Sequence, residues 1–325
     1  MTEPRTLESF LEDHASISPL AAAVCDAVAG LAVSAAVISR LIRLPDADAN
    51  LGAIKGSANA DGDDQKALDV MADEIITAAL NTAGVATYLS EEQAEPIPLH
   101  EDGLVIVASD PLDGSSNIDT NVSVGTIFSV LDAAGGVLQK GRDQLAAGFF
   151  VYGPQTTLLL TVGDGVFAFA MDDAGLFHQM QWSDGQTQVM IAPDTNEFGI
   201  NASNQRHWLP PVASYVADCL AGTDGPRGRN FNMRWVGSLV ADAWRIFRRG
   251  GIFLYPADNR DGYGDGRLRL VYEAAPVAML VEQAGGRAVS DQVDILDIVP
   301  ESLHQRVAFV FGSISEVDVT VSYRS

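Results

Sequence analysis

Two acidic stretches hold the residues best suited to chemistry. Asp110-Pro111-Leu112-Asp113-Gly114-Ser115-Ser116-Asn117 follows directly on the apolar run Leu104-Val105-Ile106-Val107-Ala108-Ser109. Such a run reads as a buried strand, which puts Asp110 and Asp113 at its carboxyl end, where carboxylates are costly unless they meet cations. Pro111 stiffens the turn. Gly114, Ser115 and Ser116 offer the backbone N–H groups and hydroxyls that cradle a phosphate. Upstream, Glu91 and Glu92 stand side by side after another strand-like run, Val85–Leu89. Alone, that pair reads as an exposed acidic turn. Together with Asp110 and Asp113 it reads as an all-oxygen cation site. With no His or Cys cluster beside it, the donor set selects Mg2+ or Mn2+ over Zn2+ or copper.

Other motifs carry less. The chain has no GxSxG elbow and no P-loop. Its five histidines show no metal-ligand spacing. Asp46-x-Asp48-x-Asn50 begins like a calcium loop, but Leu51 stands where Gly is required and Ser57 where Glu closes the loop. Gly262-x-Gly264-x-Gly266 opens no helix and reads as a flexible loop rather than a dinucleotide site.

The elements that must position these residues alternate. An Ala-rich helix is expected from Pro19 to Ile38, with Ser18 as N-cap and Arg40 and Arg43 in its last turn. A Gly/Asp/Asn-rich loop, Asp46–Asp63, leads into a helix over Asp64–Asn81. Strands follow at Val85–Leu89, Leu104–Ser109, Val122–Leu131, Thr156–Val162, Val166–Met171 and Leu176–Met180, while Gln144–Tyr152 fits helix and strand equally. Beyond Ala192–Glu197 come helices near Gln205–Ala221, Ser238–Arg249 and Val271–Ala284, with strands near Gly251–Tyr255 and Val307–Gly312. The pattern predicts an α/β (α+β) protein with two sheets, divided into residues 1–192 and 193–325.

Charge narrows the partners. The 325 residues carry 20 Lys+Arg against 43 Asp+Glu, a formal charge of −23. That balance argues against nucleic acid and against an anionic membrane surface. Cys25 and Cys219 form no CxxC pair, which fits a reducing cytoplasm. The polar N-terminal stretch is no secretory signal, and the one segment to test for membrane insertion, Pro19–Ile38, contains Asp26 and reads as a packed soluble helix. An acidic protein can hold an anionic substrate only through an intervening cation.

At these residues the sequence resembles the class I fructose-1,6-bisphosphatase family, within the magnesium-dependent, lithium-sensitive sugar phosphatases. The likeness runs from about Gly62 to Gly312. Asp110-Pro111-Leu112-Asp113-Gly114-Ser115-Ser116-Asn117-Ile118-Asp119 matches the central signature. Gly62-Asp63-Asp64-Gln65-Lys66-Ala67-Leu68-Asp69-Val70, Ser90-Glu91-Glu92, Gly237-Ser238-Leu239-Val240-Ala241-Asp242 and Gly250-Gly251-Ile252-Phe253-Leu254-Tyr255-Pro256 fall in the family's order. So do Gly266-Arg267-Leu268-Arg269-Leu270-Val271-Tyr272-Glu273-Ala274-Ala275-Pro276 and Leu296-Asp297-Ile298-Val299-Pro300. The resemblance implies a layered αβαβα fold with two mixed sheets. It implies a metal-dependent hydrolysis of fructose 1,6-bisphosphate to fructose 6-phosphate, in gluconeogenesis or the reductive pentose phosphate cycle.

By the same resemblance Glu91, Glu92, Asp110, Asp113, Glu273 and the Leu112 carbonyl bind Mg2+, with Mn2+ as substitute. Asp69 and Glu92 orient and deprotonate the attacking water, and Asp63 joins when its loop closes. Asp113, Gly114, Ser115 and Ser116 hold the reacting phosphate, while Asn201, Arg234, Tyr255 and Arg267 hold the distal one. The residue matching Arg234 reaches in from a neighbouring subunit, which implies a functional homo-oligomer, a tetramer. Three positions depart from the family pattern: Asn204 and Trp235 stand where many members have Tyr, and Arg267 replaces Lys. The AMP-binding turn and its Lys-Tyr pair are also missing, with Leu104-Val105 in the latter place, so AMP inhibition is expected to be weak or absent. Sedoheptulose 1,7-bisphosphate is an alternative or additional substrate. An inositol-type monophosphatase and a non-catalytic sugar-phosphate binder are further alternatives.

Overall fold

The computed structural model describes residues 4–44, 54–58, 64–182 and 185–324. Two helices open the chain: α1 (Leu7–Ala15) and α2 (Pro19–Ile42). Side-chain oxygens of Thr6 and Ser18 cap them, accepting from Ser9 N at 3.2 Å and Ala21 N at 3.1 Å. By length and composition α2 could cross a membrane. Its stripe Val24, Val28, Leu31, Ala35 and Ile38 is instead buried against the first sheet, as the 3.6-residue period dictates. Gly30 faces the next helix so closely that a Cβ would lie 3.3 Å from the Ala79 carbonyl oxygen.

The segment before that next helix departs from expectation. Residues 54–58, read as loop, form β1 (Ile54–Ala58), which pairs antiparallel with β2 (Asp64–Lys66). Helix α3 (Ala67–Thr82) therefore starts three residues after Asp64. Asp63 and most of the acidic loop lie outside the described residues.

The first sheet takes β3 (Thr87–Ser90), β4 (Ile97–Pro98), β5 (Val105–Asp113), β6 (Val124–Asp132), β7 (Gln144–Tyr152), β8 (Thr156–Thr161), β9 (Phe167–Met171) and β10 (Phe177–Gln179). They lie in the order β10-β9-β8-β7-β6-β5-β3-β4, and β3 with β5 is the parallel pair in an otherwise antiparallel ladder. The undecided Gln144–Tyr152 is thus a strand. It is fixed by pairing with both β6 and β8, which local pattern cannot show.

The second half supplies β11 (Glu197–Ile200), α4 (Pro210–Ala221), β12 (Asn232–Met233), α5 (Leu239–Arg249), β13 (Ile252–Tyr255) and β14 (Leu268–Arg269). A π-helical turn, Leu270–Ala274, runs into α6 (Ala275–Gln283), followed by β15 (Arg287–Ser290), β16 (Val293–Asp294), β17 (Arg306–Val307), β18 (Phe309–Gly312) and α7 (Ile314–Ser322). The second sheet is mixed, in the order β12-β11-β13-β18-β15-β16. The helix expected over Gln205–Ala221 is split into a 3-10 turn, Ala202–His207, and α4. Pro210 and Pro211 lack N–H donors and force a fresh helix start. The strand expected over Val307–Gly312 is also divided, with β17 pairing with β14 and β18 inside the second sheet.

Alternation along the strands builds five layers. Phe128 and Phe150 of the first sheet face α1, α2 and α3, while Ile127, Phe149 and Val151 face α5 and α6. Phe253, Phe309 and Phe311 of the second sheet close over the same two helices. On its far side Ile252, Leu254 and Val310 meet Val212 and Val216 of α4 and Val317 of α7. The result is the αβαβα stack.

Candidate active site

The centre forms where β5 breaks its ladder. Strict alternation would put Asp110 and Asp113 on opposite faces. The pairing with β6 runs to Asp110↔Ile127 and resumes at Asp113↔Gly125, one residue out of step, so a bulge turns both carboxylates to one side. The bulge is pinned locally: Leu112 N donates to Asp110 Oδ1 at 2.9 Å, and Thr126 Oγ1 to the Pro111 carbonyl at 2.8 Å. Asp113 Oδ2 accepts from Val240 N at 3.0 Å and Ser238 Oγ at 3.3 Å, which ties the start of α5 to the site.

Glu273 arrives from the π-helical turn, and carboxylate oxygens of Asp110, Asp113 and Glu273 lie within 4.8 Å of one another. Glu91 and Glu92 follow β3; Glu91 N donates to the Ser109 carbonyl at 3.0 Å and Glu92 N to Ser90 Oγ at 3.2 Å. Arg269 reaches into this group, 2.7 Å from Glu91 Oε1 and 4.0 Å from Glu273 Oε2, and its own N–H donates to Glu273 at 2.6 Å.

The electrostatics register the crowding. Burial, then the nearby Glu273 and Glu92, push Glu91 up to about 8 against the opposing pull of Arg269. Burial and the charges of Glu91, Asp113, Glu273 and Glu92 hold Asp110 well above the carboxylate range. Burial raises Asp113 to about 6, opposed by the Val240 and Ser238 hydrogen bonds, and raises Glu273 to about 7, opposed by Arg269. Arg269, with Arg306 acting on Glu273, still leaves these acids with a deficit of positive charge. Closely set carboxylate oxygens fit a hard divalent cation, which would restore their charged forms.

The remaining expected residues fall in two groups. Asp69 is buried in the first turn of α3, and Glu92 is half-buried. Gly114 adopts φ +76°, a left-handed conformation suited to glycine, and opens the 3-10 helix Ser115–Thr120 beside the metal-ligand candidates. Asn117 Nδ2 locks that turn to the Gly237 carbonyl at 3.0 Å. On the second sheet Asn201, Asn204, Trp208 and Tyr255 line one recess at the ends of β11 and β13. Burial raises the Tyr255 hydroxyl, and the Arg267 charge opposes that rise. Arg234 stands apart, half exposed, with its Nε 3.8 Å from Glu197 Oε1.

Comparison with known proteins covers nearly all of the chain. The N-terminal domain model of fructose-1-6-bisphosphatase matches residues 5–181 and the C-terminal domain model matches residues 191–325. The chain belongs to the fructose-1,6-bisphosphatase family. Among its relatives, the class 1 fructose-1,6-bisphosphatase of Azorhizobium caulinodans is 52% identical over 98% of each chain. One from Nitrobacter hamburgensis is 53% identical over 98% of this chain and 92% of its own. The crystal structure of Leishmania major fructose-1,6-bisphosphatase in holo form superposes with a TM-score of 0.90 at 35% identity, covering 99% of both chains.

Within the family frame, sequence reasoning overlooked residues that hold the ligand candidates. Arg269 lies inside a quoted motif, and an Arg four residues before a Glu in an apolar stretch was the available signal. Ser238 also lay in a quoted motif. Asp73, buried on α3, accepts from Ser90 Oγ at 2.6 Å and Gln93 Nε2 at 2.8 Å, bracketing Glu91 and Glu92. A mid-helix acid gives no such signal in sequence. At the departures, Trp235 stacks on Phe253 at 5.3 Å between ring centroids, and Arg267 donates to the Tyr263 hydroxyl at 2.9 Å.

Proposed function

We propose that the chain hydrolyses the 1-phosphate of fructose 1,6-bisphosphate, releasing fructose 6-phosphate and inorganic phosphate. The observation that carries this reading is the convergence of Asp110, Asp113 and Glu273 within 4.8 Å, beside Glu91, in a chain related to class 1 fructose-1,6-bisphosphatases over 98% of its length. Glu91, Glu92, Asp110, Asp113, Glu273 and the Leu112 carbonyl would hold Mg2+, with Mn2+ as substitute. That cation supplies charge neutralisation at the reacting phosphate, a more acidic water and a stabilised leaving oxygen.

The protein's own groups do the rest. N–H donors of Gly114, Ser115 and Ser116 receive the reacting phosphate as charge builds on it. Asp69 and Glu92 orient the attacking water and accept its proton, with Asp63 completing the set. Asn201, Tyr255 and Arg267 grip the distal phosphate, joined by Arg234 from a neighbouring subunit of a homotetramer. The division at residues 192/193 puts most of the metal-holding residues in the first half and the distal-phosphate residues in the second, with Glu273 crossing from the second half to the metal group. Leu104-Val105 stands in the place of the family's Lys-Tyr pair, so inhibition by AMP is expected to be weak or absent; loss of most activity at low AMP would count against this. The setting is cytoplasmic, in gluconeogenesis or the reductive pentose phosphate cycle.

The panel that tests substrate choice is Mg2+-dependent phosphate release from fructose 1,6-bisphosphate, sedoheptulose 1,7-bisphosphate and inositol monophosphate. Turnover of the first is expected to lead. Equal turnover of the monophosphate, undiminished in Arg267→Ala, contradicts the assignment of a distal phosphate site.

A further inference from the structure

The loop between β13 and β14 is built as one stacked unit. Asp258 is 5% exposed, and its two carboxylate oxygens accept from Arg260 Nε at 3.0 and 3.1 Å, while Asp258 Oδ1 also accepts from Arg260 N at 3.0 Å. So anchored, the Arg260 guanidinium lies over the Tyr263 ring, 3.8 Å from its centroid. Arg267 lies 4.7 Å from the same centroid, and its Nη1 donates to the Tyr263 hydroxyl at 2.9 Å.

The backbone fixes this stack. Asp258 N donates to the Tyr263 carbonyl, Tyr263 N to the Arg260 carbonyl and Gly266 N to the Tyr263 carbonyl, each at 3.1 Å. Gly266, at φ +95°, sits where a Cβ would be 2.2 Å from the Val307 carbonyl oxygen, so the loop's exit is held against β17. Asn259 N donates to the His207 carbonyl at 3.1 Å, which joins the loop to the 3-10 turn that follows Asn201. Both walls of the recess at Tyr255 are therefore linked through this loop.

We infer that Tyr263 and Arg260 are positioning residues for Arg267, and that they set the preference for substrates with a second, distal phosphate. The inference rests on the reading that Arg267 meets that phosphate. A guanidinium is a planar fork, and its bidentate match to phosphate depends on the plane being correctly aimed. A ring face fixes that plane, and the tyrosyl oxygen fixes its rotation. A free Arg would have to give up rotamer freedom on each binding event; one held beforehand does not. Neither Tyr263 nor Arg260 touches the carboxylate centre, so their contribution falls on substrate grip and not on the hydrolytic step.

The test uses the full-length protein with Mg2+ and two substrates: fructose 1,6-bisphosphate and fructose 1-phosphate, which lacks the distal group. Tyr263→Ala and Arg260→Ala are expected to raise KM for the bisphosphate about tenfold, with kcat changed less than about twofold. Tyr263→Phe, which keeps the ring and loses the hydroxyl, is expected to raise KM about threefold to fivefold. Turnover of fructose 1-phosphate stays as in the parent protein. Arg267→Ala, measured alongside, should raise KM at least as much. If Arg267→Ala raises KM while both alanine variants match the parent, the positioning role is overturned and the distal grip stands. If Arg267→Ala leaves KM unchanged, the reading beneath the inference falls with it. An equal loss on both substrates, with a lowered Tm, assigns the loop a structural role and also overturns the inference.

Discussion

The Arg269 guanidinium stands 2.7 Å from Glu91 Oε1, with both side chains about nine-tenths buried. It is a positive charge that the chain itself sets among these acids, and Arg306 acts on Glu273 as well. Removing one partner of a buried pair costs about 3–5 kcal/mol, because the other charge is left uncompensated. Arg269→Met is therefore expected to lower the unfolding free energy of the chelator-treated protein at pH 8, by less than that amount because Glu91 is already partly protonated there. Near pH 6 the loss shrinks, since Glu91 takes up a proton there. Urea denaturation in EDTA at the two pH values checks this; equal midpoints for parent and variant contradict it.

The raised carboxyls also set how stability varies with pH. Glu91 is held at about 8, Glu273 at about 7 and Asp113 at about 6, each chiefly by burial. Their protonated forms are favoured in the folded state, so folded protein binds more protons than unfolded chain from about pH 4.5 up to those values. Stability of the metal-free protein consequently falls as pH rises from 6 towards 8. A bound divalent cation favours the charged forms and reverses the trend. Thermal unfolding with EDTA and with Mg2+ should show a Mg2+-induced rise in Tm that is larger at pH 8 than at pH 6; a larger rise at pH 6 would contradict the account.

Asp73 anchors the turn that carries Glu91 and Glu92. It accepts from Ser90 Oγ at 2.6 Å, and that oxygen accepts in turn from Glu92 N at 3.2 Å. Residues that orient metal ligands typically contribute about 10–100-fold in metal affinity or activity. Asp73→Ala is expected to reduce kcat within that range and to raise the half-saturating Mg2+ concentration. Asp73→Asn keeps an acceptor for Ser90 and should retain most activity. Steady-state kinetics across a Mg2+ titration decides, and indistinguishable alanine and parent curves dismiss the role.

Gly125 lies opposite Asp113 in the ladder, and a Cβ there would be 2.2 Å from the Phe150 carbonyl oxygen and 2.5 Å from Val240 Cγ2. The first clash is with backbone and cannot be relieved by rotating a side chain. Gly125→Ala is expected to lose about 3 kcal/mol of stability. It should also lose activity, since Val240 N is a donor to Asp113. A variant with unchanged Tm and activity would show that the sheet yields more readily than these distances imply.

Much of this was legible in the sequence because burial writes itself as pattern. The apolar strand that ends in Asp110 and Asp113 and the glycine turn at Gly114 both follow from local composition. What pattern cannot carry is register. The bulge that sets Asp110 and Asp113 on one side is a relation between β5 and β6, and Gln144–Tyr152 became a strand only through its neighbours. Short elements were similarly hidden: β2 looks like the first turn of α3, and the π-helical turn that delivers Glu273 looks like ordinary helix. Asp73 acts through Ser90 and Gln93, distant in sequence, so neither residue type nor spacing marked it; Arg269 carried only its four-residue spacing to Glu273, while its tightest partner, Glu91, is remote.

On the proposed reading, the carboxylate centre hydrolyses the 1-phosphate of a sugar bisphosphate with a divalent cation. The most direct test of that reading is phosphate release from fructose 1,6-bisphosphate by the purified protein, with the sugar product identified, compared among parent with Mg2+, parent with EDTA, and Asp110→Ala with Mg2+. The account predicts one phosphate per sugar and fructose 6-phosphate as product in the first case, and loss of turnover in the other two. Undiminished release in EDTA or in Asp110→Ala, or fructose 1-phosphate as the product, would contradict it.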